Sequence, residues 1–305
     1  MGKKEDALRK DSFLIKEAID SSLEEIALPL GIEEKDKKQP LKLNLAILNR
    51  YIDWLYPGNI ILIIGPRYCG KTSLVANITL TTAQSDKAVL FFSPGLRGQA
   101  LVSRFISIQS GINIDEEIIK YHFEPIQPEY LLRILKASAF LGTLPIYIDD
   151  RNLVSFDTFE REVINLSKEV NLSLIIVDYL QQIEKQKEID RKEKTFKKYI
   201  LIRQLKLLAV KLRLPIILVA RLDQDLKYDS RVFKIIQGYT DIIIYLERKV
   251  ICWGKIDSLK TLLTIYKNNS GFLPKGKLIY YVNEGIVKEG GRDDEKTGRF
   301  ISNQG

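Results

Sequence analysis

The chain has 305 residues, of which 45% are hydrophobic and 28% charged, and 47 Lys and Arg against 39 Asp and Glu give a formal charge of +8. This composition is typical of a globular chain with a sizeable core. No apolar run reaches the roughly 20 residues of a membrane-spanning helix, and the N-terminus lacks a signal-peptide core, so we expect a cytoplasmic protein without a membrane partner. Two Cys and one His indicate neither a disulfide framework nor a zinc site.

A short amphipathic helix is predicted near the N-terminus, apart from the main body of the chain. Residues 11–28 carry apolar side chains at helical spacing, and Pro29 and Gly31 end the pattern. A polar linker follows at 33–40. Because one short helix cannot bury its apolar stripe alone, it either folds back or docks on a partner.

From Asn59 onward, short apolar runs alternate with helical patterns. The runs cover 60–65, 88–93, 145–150, 172–178, 215–220, 241–247, 261–266 and 277–283, and the helical patterns include 128–141, 156–170 and 194–213. Several runs are apolar at every position, as strands buried on both faces are. The alternation predicts an α/β fold with a doubly wound, mostly parallel sheet. Short turns between the last strands predict antiparallel pairs at one edge, and the polar tail 288–305 is expected to be disordered.

The stretch IILIIGPRYCGKTS predicts a phosphate-binding loop between a strand and a helix. Gly65, Gly70, Lys71 and Thr72 match the pattern G-x-x-x-x-G-K-[ST]. The glycines let backbone N–H groups point at phosphate oxygens, and the helix that follows adds its positive N-terminal dipole. Lys71 would contact the β and γ phosphates and Thr72 would hold Mg²⁺. Ser73 joins them as a candidate nucleotide-binding residue.

Asp178 ends the buried run LSLIIVD and is the second candidate ligand for Mg²⁺. A strand-terminal Asp can also simply cap a turn. The phosphate loop, expected on a neighbouring strand, favours the metal role. ATP and Mg²⁺ are therefore the expected cofactors.

Six stretches appear in an order and spacing that resemble one family. They are YPGNIILIIGPRYCGKTSLVANI, VLFFS, LPIYIDD, LIIVDYLQQI, LPIILVARLDQ and TIYKNNSGFLPKG. Over roughly residues 40–285 the chain resembles the RecA-like motor domain of DnaB-type replicative DNA helicases. The resemblance implies a linker helix and polar linker at 1–40, a RecA-like P-loop NTPase domain that binds ATP at 41–287, and a tail at 288–305. It also implies that helix 13–28 packs on a neighbouring subunit of a hexameric ring, or on a replicative helicase.

The chain departs from this family at positions that serve hydrolysis. Gly95 stands where the family has a Glu that orients the attacking water. Arg221 replaces the Gln that senses the γ-phosphate, and Asn269 replaces the arginine finger that reaches into the neighbour's ATP. Lys267, the family's second residue acting in trans, is retained.

These departures predict binding without efficient hydrolysis. An arginine finger raises the rate of hydrolysis roughly 10³–10⁵-fold. Loss of a water-orienting carboxylate lowers that rate roughly 10²–10⁴-fold. The phosphate cradle is intact, and Arg221 could strengthen γ-phosphate binding or act as a finger in cis. Asp149, Asp150 and Glu124 are the candidate substitutes for the missing base.

A basic segment at 184–199 follows the predicted magnesium strand. Its candidate DNA contacts are Lys185, Lys187, Arg191 and Lys192. By resemblance, the segment lies where a central-channel loop would track the backbone of single-stranded DNA. A solvated helix face with internal ion pairs explains the same residues equally well.

Three functions remain open on the sequence alone. The first is a DnaB-helicase-like ATP-binding protein of DNA replication, whose strong form is an active ATP-dependent DNA helicase or translocase. The second is a non-catalytic regulator or loader-like partner of a replicative helicase. The third is a P-loop protein of RecA or circadian-clock type without a nucleic-acid role.

Overall fold

The structure is a computed structural model that describes most of the chain. The described residues are 38–49, 51–94, 96–121, 125–151, 154–183, 191–221, 231–253, 256–269, 273, 277–283 and 286–293. Contacts divide the chain into Met1–Lys38 and Gln39–Gly305. The predicted helix 13–28 lies outside the described residues.

The strands and helices alternate along the chain as the apolar pattern predicts. The strands are β1 Leu41–Lys42, β2 Trp54–Leu55, β3 Ile60–Gly65, β4 Ala88–Phe92, β5 Ile146–Asp149, β6 Leu172–Asp178, β7 Ile216–Arg221, β8 Ile242–Trp253, β9 Ile256–Asn268, β10 Lys277–Asn283 and β11 Ile286–Asp293. The helices are α1 Ala46–Asn49, α2 Lys71–Ala83, α3 Gly98–Ser110, α4 Ile114–Tyr121, α5 Pro128–Leu141, α6 Phe156–Glu169, α7 Arg191–Leu212 and α8 Arg231–Tyr239, with a 3₁₀ turn at Leu180–Gln182. Within the described part, the helices are all too short or too polar to cross a membrane.

One sheet organises the described residues, with strand order β11-β10-β9-β8-β3-β7-β6-β4-β5. Six strands, β8, β3, β7, β6, β4 and β5 in sheet order, pair in parallel. The strands β8, β9, β10 and β11 pair antiparallel with their neighbours. A separate pair is formed by β1 and β2. The predicted doubly wound sheet with antiparallel edge strands is therefore confirmed.

The apolar character of β3 follows from its place between two hydrophobic layers. Ile61 and Ile63 belong to the core on one face of the sheet, together with residues of α2. Ile60, Leu62 and Ile64 belong to the core on the other face, together with residues of α7. The strand is buried at all six positions, so the phosphate loop that follows it starts from a fixed point.

The antiparallel edge extends further than the apolar runs indicate. The hairpin of β8 and β9 pairs from Ile242 with Asn268 to Trp253 with Ile256. Residues 288–293, which the sequence assigns to a disordered tail, are the last six of the eight residues of β11, the strand that pairs with β10. Pairing supplies hydrogen-bond partners for this backbone, and an edge strand tolerates polar side chains.

Candidate nucleotide-binding site

The predicted phosphate loop connects β3 to α2, and its two glycines serve different structural needs. A Cβ atom on Gly65 would lie 2.4 Å from the carbonyl oxygen of Leu246 and 2.8 Å from the Sγ of Cys69, so glycine is required there. Gly70 has φ 87°, in the left-handed region that glycine adopts without strain, and it caps α2. The pattern of glycines thus has a physical basis in the fold.

The β8–β9 hairpin holds the outer part of the loop. Arg248 donates from Nη1 to the carbonyl of Tyr68 at 2.7 Å, and the hydroxyl of Thr261 donates to the carbonyl of Cys69 at 3.4 Å. Two loop carbonyls are therefore occupied by side chains of the hairpin, which fixes this part of the loop.

Lys71 is almost fully buried, at 2% exposure. Its Nζ donates to the carbonyl oxygens of Gly65, at 2.9 Å, and of Pro66, and lies 3.6 Å from the Sγ of Cys69. Burial lowers the pKa of Lys71. When a nucleotide binds, phosphate oxygens would replace these neutral carbonyls as acceptors from Lys71 and form stronger charge-assisted hydrogen bonds.

Thr72 and Ser73 stand in the first turn of α2, and both are buried. Leu74 donates its backbone N–H to the carbonyl of Gly70 at 2.9 Å. The N–H groups of Lys71, Thr72 and Ser73 precede that first helical bond, as the initial amides of a helix do. This end of α2 therefore has the donors and the dipole that suit an anion.

Asp178 ends β6 with a carboxylate that is 2% exposed, and its Oδ1 is a buried oxygen without a hydrogen-bond partner. Burial raises the pKa of Asp178 to about 6, although the Thr72 hydroxyl and the charges of Lys71, Arg104 and Arg221 oppose the rise. An unpartnered carboxylate oxygen near a threonine hydroxyl is a donor set that suits Mg²⁺. The residues thus fit the expected metal.

The sheet order corrects one expectation about this site. The sequence interpretation places the phosphate loop and Asp178 on neighbouring strands, but β7 lies between β3 and β6. The residue of β7 opposite Gly65 is Arg221, and the residue of β7 opposite Asp178 is Val219. The end of β7 therefore lies between the phosphate loop and the candidate metal ligand.

Tyr179 and Gln181, which the sequence analysis does not single out, connect these parts. The Tyr179 hydroxyl lies 3.2 Å from Thr72 Oγ1, and its ring centroid lies 4.6 Å from the Cζ of Arg221 and 5.7 Å from the Nζ of Lys71. Gln181 bonds to the main chain of Arg221 through both ends of its amide. Their position directly after Asp178 is the sequence signal that could have identified them.

A third residue missed from the sequence is Arg104, on α3. Its charge acts on both Asp178 and Tyr179. It follows the end of β4 by twelve residues, and no local pattern marks it, because only the path of α3 brings it near the end of β6. With Lys71 and Arg221 it makes the surroundings of the site positive, as a polyphosphate requires.

Two of the three candidate substitutes for the missing base, Asp149 and Asp150, have other partners. Gly95 and Glu124 lie outside the described residues. Asp149 is paired with Arg151, whose Nε lies 2.9 Å from Oδ1. Asp150 accepts the backbone N–H of Gly98 at 2.8 Å, at the start of α3. Asp149 ends β5 and Asp150 follows it, and this strand at the sheet edge is separated from β3, which leads into the phosphate loop, by β4, β6 and β7.

The two positions named for action in trans lie at the end of β9. Lys267 donates from Nζ to the carbonyls of Gln237 and Thr240 at 2.6 Å each, at the C-terminal end of α8. Burial lowers the pKa of Lys267. Asn269 is exposed and donates its backbone N–H to the carbonyl of Asp241 at 3.0 Å.

The candidate DNA contacts are only partly covered by the described residues. Lys185 and Lys187 lie outside them. Arg191 and Lys192 form the first turn of α7, and their side chains also lie outside the described part.

With this geometry established, comparisons with known proteins identify the relatives of the chain. The family model for the DnaB-like helicase C-terminal domain matches residues 41–234. The replicative DNA helicase DnaB of Buchnera aphidicola is 31% identical over 183 residues, covering 59% of this chain and 38% of that protein. DnaB of Helicobacter pylori strain J99 is 25% identical over 266 residues, covering 81% and 52%. The chain thus spans about half the length, or less, of these relatives.

Solved structures support the same fold. The ATPase domain of G40P superposes with a TM-score of 0.73 at 18% identity, covering 92% of this chain and 99% of that one. A DnaB-like replicative helicase, solved in a study of its interactions with primase, also gives 0.73, at 20% identity, covering 91% and 67%. A KaiC-like protein of Pyrococcus horikoshii gives 0.57 at 18% identity, covering 82% and 99%. The RecA-like fold predicted from the sequence is confirmed.

Proposed function

Because the chain belongs to the DnaB-like helicase C-terminal domain family, we propose that it is an ATP-binding protein of DNA replication that holds Mg-ATP and hydrolyses it weakly or not at all. Its cofactors are ATP and Mg²⁺. Single-stranded DNA is its candidate polymer ligand, through the segment that contains Lys185, Lys187, Arg191 and Lys192. The ATP-binding domain is assigned to 41–287.

Binding of Mg-ATP is supported by the convergence of the loop, α2 and Asp178. Lys71 would contact the β and γ phosphates, the first amides of α2 would bind phosphate oxygens, and Thr72 and Asp178 would hold the metal. Bound Mg²⁺ would neutralise charge on the phosphates. The single observation that carries this proposal is the buried, unpartnered Oδ1 of Asp178, because burying an unpaired carboxylate oxygen is costly unless a cation meets it.

Weak hydrolysis is supported by two replaced positions and by the contacts of two candidate substitute bases. Gly95 has no carboxylate, Asn269 has no positive charge, and the aspartates at the end of β5 are engaged elsewhere. Loss of the arginine finger alone should lower the rate of ATP hydrolysis roughly 10³–10⁵-fold. The nucleotide would then remain bound as ATP for much longer than in an active motor.

Assembly with other subunits forms part of the proposal. Helix 13–28 would dock on a second copy, giving a hexamer-like ring, or on a replicative helicase. The described surface supports contact with a partner, because α5 exposes Leu131, Leu132 and Leu135 on a helix in which only Ala137 is buried. Apolar side chains gathered on one exposed face are typical of an interaction surface.

Two other functions remain as alternatives. An active ATP-dependent DNA helicase or translocase is favoured by the retained Lys267. A non-catalytic regulator or loader-like partner is favoured by Gly95 and Asn269. ATP turnover decides between them, and the ring is compatible with either.

The experiment measures nucleotide binding and turnover on the same preparation of the full chain. We expect Mg-ATP to bind with little turnover, single-stranded DNA to leave turnover low, and Lys71→Ala to weaken binding by at least about tenfold. Gly95→Glu combined with Asn269→Arg should restore part of the turnover. Strong turnover that DNA stimulates and Lys71→Ala abolishes would establish the active motor instead, and absence of Mg-ATP binding would overturn both.

A further inference from the structure

The end of β7 is fixed on both sides. On one side Arg221 is the parallel partner of Gly65, the first glycine of the phosphate loop. On the other side the amide of Gln181 donates from Nε2 to the carbonyl of Arg221 at 3.0 Å and accepts its backbone N–H at Oε1, at 3.2 Å. A side-chain amide here imitates the peptide group of a neighbouring strand, so the backbone of Arg221 is anchored beyond the point where β6 ends.

The side chain of Arg221 is fixed as well. Its Cζ lies 4.6 Å from the ring centroid of Tyr179, and the Tyr179 hydroxyl lies 3.2 Å from Thr72 Oγ1. The guanidinium therefore stands between the loop and the end of β6. Its charge adds to the lowering of the Lys71 pKa by burial and opposes the rise of the Asp178 pKa that burial causes.

This contact leaves the hydrogen-bonding groups of Arg221 available. An aromatic ring attracts a guanidinium through its face, whereas the five N–H donors lie in the guanidinium plane. Within the described residues, the contacts of the guanidinium are with the Tyr179 ring and with nearby charges, and its main chain alone takes part in hydrogen bonds. An arginine held in this way has already lost part of the rotamer freedom that binding would otherwise remove.

We infer that Gln181 and Tyr179 are positioning residues that hold Arg221 as a cis-acting ligand for the terminal phosphate of a nucleoside triphosphate. The site then distinguishes triphosphate from diphosphate within one subunit. This rests on the proposed function, because it requires nucleotide at the loop. The Nζ of Lys71 also lies over the Tyr179 ring, 5.7 Å from its centroid, so both cations stand near the same aromatic side chain.

The test compares the binding of Mg-ATP and Mg-ADP to the full chain by calorimetry. Arg221→Ala and Gln181→Ala should each weaken the binding of Mg-ATP about tenfold or more. The affinity for Mg-ADP should stay within about twofold of the wild-type value. Their combination should weaken Mg-ATP little beyond Arg221→Ala alone, since both act through one contact. Gln109→Ala is the matched control, because Gln109 is half-buried and its side chain makes an exposed hydrogen bond with Gln84, and it should change neither affinity.

Conservative variants separate positioning from a general effect on folding. Tyr179→Phe keeps the ring and should keep the preference for triphosphate, whereas Tyr179→Leu should lose it. Arg221→Lys should keep part of the preference. The inference is overturned if Gln181→Ala weakens Mg-ATP and Mg-ADP equally, or if Arg221→Ala leaves Mg-ATP binding unchanged. A wild-type chain that binds neither nucleotide overturns the proposed function too, so the two failures are distinguishable.

Discussion

Asp178 is a buried carboxyl group whose ionisation opposes folding, and Asp178→Asn tests this statement. Its side chain is 2% exposed, and burial raises its pKa from the ordinary value of 3.8 to about 6. The charges of Lys71, Arg104 and Arg221 reduce this rise without cancelling it. A difference of this size corresponds to about 3 kcal/mol between the protonated and ionised forms.

The direction of the effect follows from the raised pKa. The folded chain binds this proton more tightly than the unfolded chain, so the stabilisation is fully present below about pH 4 and is lost as the pH rises through about 6. The Asn variant cannot ionise and escapes this loss. Relative to wild type, its free energy of unfolding should therefore rise by up to about 3 kcal/mol between about pH 4 and about pH 7, without Mg²⁺ or nucleotide.

Urea unfolding of both proteins across this pH range measures the difference directly. Asp157→Asn is the matched control, because Asp157 is exposed in the first turn of α6 and its carboxylate stays in water. The reasoning about burial would be refuted if the free energy of unfolding of Asp178→Asn, relative to wild type, stayed constant between about pH 4 and about pH 7 or fell as the pH rose.

Three further predictions concern the loop and the end of β9. Lys71→Ala should weaken Mg-ATP by at least about tenfold in calorimetry, because it removes a charge from the phosphates. Gly65→Ala should lower the free energy of unfolding by about 1–3 kcal/mol, because its Cβ would lie 2.4 Å from the Leu246 carbonyl oxygen. Gly238→Ala is the control, because a Cβ on Gly238 would meet no atom within 4 Å. Lys267→Met should lower the thermal midpoint and reduce the free energy of unfolding by about 1–2 kcal/mol, because two carbonyls at the end of α8 lose their donor. An unchanged midpoint would show that these bonds do not stabilise the fold, and would favour a role for Lys267 in trans.

The fold was largely predictable because its parallel strands are buried on both faces. The run LSLIIVD predicts a strand at 172–178, and β6 covers those residues. Strand order was not predictable in the same way, because the place of β7 between β3 and β6 depends on how the crossovers pack. The long hairpin of β8 and β9 also exceeds its apolar runs, since strands joined by cross-strand bonds continue through polar residues such as Arg248.

The site was predictable where local sequence carries the chemistry. The loop motif locates Lys71 and Thr72, and the end of an apolar strand locates Asp178. Contacts between distant elements were not predictable, because no spacing indicates that Gln181 bonds to the main chain of Arg221, forty residues away. The same holds for Lys267, whose partners on α8 become apparent only when β9 is placed beside it.

Steady-state ATP hydrolysis by the purified full chain, with and without single-stranded DNA, tests the central claim most directly when Mg-ATP binding is measured in parallel. The account predicts saturable binding of Mg-ATP with turnover close to that of Lys71→Ala, and partial recovery in the variant that combines Gly95→Glu with Asn269→Arg. Rapid turnover in the wild-type chain, stimulated by DNA and absent from Lys71→Ala, would contradict it.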